Sequence, residues 1–175
     1  MKKLFIGILI LLFFLMGCNA EDEYEAPVYK GEDLTIGVIG EKPDVREKNV
    51  HFQSVSLDEL ESANNIISDN FDAIFIMKEN LEQAAENKYA KVYKELKLPI
   101  FFIESKKAYV PFINDDLTYN EVPDIDDQMY ITGIISKGED TFKIWGFGLY
   151  NDTENDTNIK SVYSSVFETI ESAGL

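Results

Sequence analysis

Ile100-Phe101-Phe102-Ile103 has no polar face, so this run needs apolar partners above, below and beside it. That is the pattern of a central strand in a sheet covered on both sides. Leu34–Ile39 (LTIGVI), a short apolar run ended by Gly40, and Phe71–Met77 (FDAIFIM) also suit strands. Asn49–Val55 alternates Val50 and Phe52 with a second set that includes Val55, and suits a strand as well. Helix signals lie between these runs. Ser56-Leu57-Asp58-Glu59 is a capping box, with Val55 placed to staple onto Leu60, and predicts a helix from there to near Asp69. Leu81, Ala84, Ala85, Tyr89, Val92, Tyr93 and Leu96 share one helical face with Lys88 as its only polar member, which predicts a second helix lying on the sheet. Glu41–Lys48 is too short for a crossover helix, although Pro43 suits the first position of a single helical turn.

Strand, helix, strand, helix, strand is the alternation of a parallel sheet with right-handed crossovers. The C-terminal part departs from it. Tyr109–Asp127 is irregular and acidic, and Met129–Ile135 and Thr141–Tyr150 flank a turn at 136–140, which predicts an antiparallel hairpin. Ile159, Val162, Tyr163, Val166, Phe167 and Ile170 form the apolar face of a terminal helix, with Asp156 or Thr157 as its cap. The expected fold is α/β: a three-layer mixed sheet with parallel N-terminal strands, a C-terminal antiparallel hairpin and a terminal helix, in one domain over residues 34–175.

The N-terminus has a different character. Lys2 and Lys3 precede an apolar stretch, Leu4–Met16, that falls short of the roughly 20 residues needed to span a bilayer and matches a signal segment. It closes on Leu15-Met16-Gly17-Cys18, which resembles the lipobox of bacterial lipoproteins. The resemblance implies that residues 1–17 are removed as a signal peptide and that a diacylglycerol is joined to Cys18 through a thioether. The mature chain would then be held at the extracytoplasmic face of the cell membrane. Two acyl chains give stable anchoring where one gives only marginal binding. Residues 18–33, polar and acidic with Pro27 and Gly31, read as a lipidated tether able to reach roughly 50 Å.

Cys18 is the only cysteine; once lipidated, it leaves no disulfide, no thiol nucleophile and no cysteine metal site. The formal charge is −16 and Arg46 is the sole arginine, which disfavours nucleic acid and anionic surfaces as partners, so no nucleic-acid partner is expected. Such acidity reads chiefly as a solvated surface, with divalent cations or a basic partner as the functional reading.

Ligands of open parallel sheets bind beyond the carboxyl ends of the strands. The residues expected there are Gly40, Glu41 and Lys42, then Lys78 and Glu79, then Glu104, Ser105, Lys106 and Lys107. Lys42, Lys78, Glu104, Lys106 and Lys107 are therefore the candidate ligand-binding residues, suited to a small anion or carboxylate. Gly37 and Gly40 match neither a dinucleotide fingerprint nor a P-loop, so no cofactor is assigned. The acidic stretches 114–116, 124–127 and 151–156 lack the EF-hand spacing and read as solvated turns, so no metal site is assigned. His51 is the only histidine and no G-x-S-x-G elbow exists; no catalytic residue is assigned. Trp145–Tyr150 combines aromatics with glycines and is expected to pack against the terminal helix, an exposed interface being the alternative.

The expected function is a non-catalytic interaction or accessory protein of the cell envelope, with membrane and protein partners. A small-ligand or divalent-cation sensor is the alternative. A ligand binder should carry a concave pocket beneath Lys78 and Lys106, and an interaction module a broad exposed apolar patch.

Overall fold

The computed structural model describes residues 23–62, 64–125, 129–138 and 140–173. Cys18, the apolar run before it and the carboxylates of Asp126 and Asp127 lie outside them. Six strands form one sheet in the order β2-β1-β3-β4-β5-β6. They are β1 (Leu34–Ile39), β2 (Val50–Ser54), β3 (Ala73–Ile76), β4 (Ile100–Ile103), β5 (Met129–Gly138) and β6 (Thr141–Gly148). The first four are parallel; β5 and β6 join antiparallel as the expected hairpin. All residues of β3 and β4 are buried, as their doubly apolar sequences require.

Five short helices cover one face: α1 (Leu57–Ser62), α2 (Asn64–Asn70), α3 (Leu81–Ala84), α4 (Asn87–Glu95) and α5 (Val110–Ile113). The long α6 (Asp156–Ser172) covers the other, packing Tyr163 and Phe167 on Phe75. This is the expected three-layer arrangement. Along the sheet Phe101 pairs with Gly133 and Gly133 with Trp145. The missing side chain at Gly133 lets the Phe101 and Trp145 rings stack with centroids 5.9 Å apart.

Several local expectations are revised. The helix expected over 56–69 is represented by α1 and α2 on either side of residue 63, which lies outside the described residues, and the capping box forms as read: Ser56 N donates to Glu59 Oε2 at 2.8 Å and Glu59 N to Ser56 Oγ at 3.2 Å. The helix expected over 81–96 breaks at Glu86, whose backbone is extended. Its apolar stripe is nevertheless buried throughout, and the Tyr93 hydroxyl donates to the carbonyl of Ala84 at 2.8 Å, satisfying the end of α3 at the break. Residues 109–127 contain α5 and a capped 3-10 turn, Tyr119–Glu121, rather than irregular chain alone. The cap of α6 is Asn155, whose Oδ1 accepts from Asn158 N at 2.8 Å, one residue before Asp156.

Pro43 begins no helical turn. The β1–β2 connection instead carries Arg46 and Glu47 beneath residues 24–29. The stretch read as a tether is accordingly docked from Tyr24 onward: Tyr24 N donates to Asn158 Oδ1 at 2.9 Å, Ala26 N to Ser161 Oγ at 3.0 Å, and the Tyr29 ring is 3 % exposed. Ser164 bridges the pair below, accepting from Arg46 Nη2 at 2.7 Å while donating to Glu47 Oε1. Glu47 also accepts from Tyr29 N and Arg46 N.

Candidate functional site

The chain leaves β1 for β2 on one side and returns to β3 on the other, so the strand order reverses next to β1 and the connections part at the carboxyl ends. Lys78 opens the 3-10 turn that follows β3, and Glu104 directly follows β4. Their side chains meet at 2.7 Å, and the carboxylate's hydrogen bond and charge hold the Lys78 ammonium above its ordinary pKa. A cleft of about 470 Å³ opens over this pair, within the size range of small-ligand sites. Lys106, Asp124, Tyr130, Asp152 and Glu154 complete its polar lining, and Ile125, Met129 and Leu149 supply apolar wall. Burial, and then the charges of Glu104 and Glu154, raise the Tyr130 hydroxyl, which stays a neutral donor.

Two features mark the cleft as more than a gap between loops. Glu104 has a φ of +54°, and Asn151 and Asp152 have consecutive φ values of +47° and +55°. Left-handed backbone is uncommon outside glycine, and such conformations gather at ligand sites when the surroundings enforce them. In addition, among the described residues the Lys106 ammonium and the Asp152 and Glu154 carboxylates have no ion-pair partner within 4.0 Å. Both signs of charge thus line one concavity, with Glu154 acting on Lys78 and Lys106 on Asp124 through their charges rather than through direct ion pairs.

Of the five residues expected at the site, the structure brings Lys78, Glu104 and Lys106 together on this cleft. Lys42 lines an adjoining recess of about 270 Å³ beyond Glu104 and Tyr130, with its Nζ 5.4 Å from the Phe52 ring centroid. Lys107 does not line the cleft but pairs with Asp124, which does; its hydrogen bond holds that carboxyl below the usual carboxylate range, and its ammonium lies over Tyr119. The sequence reading missed Tyr130, Asp152 and Glu154. The run Asn151–Asp156 was visible as a turn, but its chain reversal over the cleft depends on the left-handed pair at 151–152.

Elsewhere His51 is exposed on β2, at the edge of the sheet. Among the described residues no group of three or more histidine, cysteine, aspartate or glutamate side chains is placed to hold a metal ion, and no helix is long and apolar enough to cross a membrane. Trp145 and Phe147 are half-buried against Phe101 on the side covered by α6, the packing expected of them. Among the described residues the exposed large hydrophobic side chains are Tyr24, Ile66, Ile144 and Tyr150, and of these Tyr24 and Tyr150 adjoin through their rings. Searches of family models, curated proteins and solved structures find no match to this chain.

Proposed function

We propose that this chain is a lipid-anchored, extracytoplasmic binding module that takes a small polar ligand bearing both an acidic and a basic group. The observation that carries this reading is a single cleft lined by the Lys106 ammonium and by the Asp152 and Glu154 carboxylates, none of which has an ion-pair partner within 4.0 Å among the described residues. A ligand carboxylate would sit toward Lys106 and Lys78, and a ligand ammonium toward Asp152 and Glu154, with the Tyr130 hydroxyl donating between them. A simple anion would satisfy one side and leave the carboxylates facing it. Anchoring at the cell membrane rests on Lys2, Lys3, the apolar run and Cys18, as read from the lipobox resemblance.

The test is thermal unfolding of the chain from Asn19 onward with amino acids, short peptides, simple anions and calcium. A ligand at 100 times its dissociation constant adds about 2.7 kcal/mol, which at this size raises Tm by roughly 5 to 11 °C. Lys106→Ala should abolish a zwitterion's shift. A panel without any zwitterion shift, or a shift that survives both Lys106→Ala and Glu154→Gln, overturns the reading.

A second reading, an accessory interaction protein of the cell envelope, draws on the open edge of β6 with Ile144 41 % exposed. Crosslinking from Ile144 in the intact envelope would report a protein partner there.

A further inference from the structure

We propose that the edge of the domain carrying the cleft rests against the bilayer surface, with Tyr24 and Tyr150 as its contact. This inference rests on the reading of Cys18 as the lipid anchor. Tyr24 is held at the first turn of α6, since its N–H donates to Asn158 Oδ1 at 2.9 Å and its carbonyl accepts from Ser161 Oγ at 2.8 Å. Only six residue steps separate it from Cys18, a span of about 20 Å at full extension. The docked segment therefore shortens the leash from roughly 50 Å to less than half of that.

The start of α6 lies at the carboxyl end of the parallel strands. Asp156 and Lys160 share a recess with Lys42 and Glu104, which follow β1 and β4. An anchor attached there holds this end near the membrane and leaves the amino end, where Lys97 precedes β4, on the far side of the sheet. At the near end Tyr24 and Tyr150 are 52 % and 44 % exposed, with ring centroids 5.5 Å apart. Leu149 and Val162 line a shallow groove beside them. Tyrosine, with an apolar ring and a polar tip, suits the headgroup level of a bilayer.

Charge opposes deep insertion. Glu23, Glu25, Asp152 and Glu154 flank the tyrosines in sequence, and anionic headgroups repel them within a Debye length of about 8 Å at physiological salt. A weak contact suffices, because a short tether supplies an effective concentration in the millimolar range. The cleft, with Leu149 and Asp152 in its wall, then draws its ligand from the layer of solvent next to the headgroups.

The test uses the full lipidated chain in phosphatidylcholine vesicles, with and without headgroup nitroxide lipid. Because Cys18 is the only cysteine and is acylated, Tyr150→Cys supplies a single free thiol for a fluorophore; Glu154→Cys labels the same edge and Lys97→Cys the opposite one. Flotation is scored first. Protein that floats, with the labels at 150 and 154 quenched at least twofold more than the label at 97, is the expected result. Protein that floats with equal quenching at both edges, or more at 97, overturns this inference and leaves the anchor intact. Protein that fails to float overturns the anchor and this inference with it.

Discussion

Replacing Glu47 by alanine should unfasten the N-terminal segment from the domain, at a cost that follows from three hydrogen bonds. The carboxylate is 6 % exposed and accepts from the Ser164 hydroxyl, from Tyr29 N at 3.3 Å and from Arg46 N at 3.0 Å. A hydrogen bond to a charged group contributes about 1.5 to 3 kcal/mol. The Arg46 amide is part-buried and water can replace its partner, and the Ser164 hydroxyl can donate to the Lys160 carbonyl 3.2 Å away, which leaves the buried Tyr29 N–H orphaned. Its loss amounts to about 2 kcal/mol, or a fall in Tm of roughly 4 to 8 °C at this size. Glu47→Gln keeps one acceptor oxygen for the Ser164 and Tyr29 donors and should lose only about 1 kcal/mol. Heat and urea unfolding measure the difference, and trypsin reports where it acts: Lys30 is exposed, but its neighbours are docked, so cleavage there should accelerate in Glu47→Ala. An alanine variant within about 0.5 kcal/mol of the parent, the ordinary scatter of surface changes, or unchanged protection at Lys30, would refute the reasoning.

A Cβ at Gly133 would lie 2.6 Å from the Phe101 ring and 3.2 Å from Trp145, so Gly133→Ala should cost about 1 to 3 kcal/mol and shift the emission of the single tryptophan; unaltered melting and emission would show that the rings have room to move. Burial, with the nearby charges of Glu171 and Glu32, lifts the Tyr29 hydroxyl to about 12. A raised pKa favours the protonated folded state, so this contribution is complete below about pH 10 and is lost as pH climbs through 12. Unfolding measured against pH should therefore show a smaller alkaline loss in Tyr29→Phe than in the parent, and equal slopes would contradict the assignment. Cys18→Ser should release the protein from the membrane fraction and abolish acyl labelling; acyl labelling that persists in the variant would exclude lipidation at that position.

The strands were legible because β3 and β4 are buried on both faces and carry no polar residue to mislead. Their order was less so: nothing in the residues of β2 states that it pairs outside β1 while β3 crosses to the other side. The stripe from Leu81 to Leu96 reported which residues face the sheet, and the break at Glu86 escaped it because burial periodicity continues across the interruption. For the cleft, topology supplied Lys78, Glu104 and Lys106, the half contributed by strand ends. Asp152 and Glu154 come from a loop whose path depends on two left-handed residues, and Asn151 and Asp152 read equally well as an ordinary solvated turn. The docking of Tyr24–Tyr29 left no local mark at all. Its partners, Glu47, Asn158 and Ser161, lie between 18 and 135 residues away, and two buried side chains, Ala26 and Tyr29, make no periodic pattern.

The position of α6 at the very end of the domain also fixes an order of assembly. Phe75 and the inner residues of β1 are covered on one face of the sheet chiefly by this helix of 17 residues. A chain made from its amino end therefore carries that face largely bare until this helix has emerged, and the opening segment, though it can already reach Glu47 and Asn49, lacks its partners Asn158, Ser161 and Glu171 before then. Completion joins the first described residues to the last across more than 130 positions, the kind of long-range closure that slows folding and prolongs exposure of apolar surface. Newly made copies would spend that interval with a hydrophobic sheet face open to one another, a state whose tendency to aggregate rises with the concentration of nascent chains.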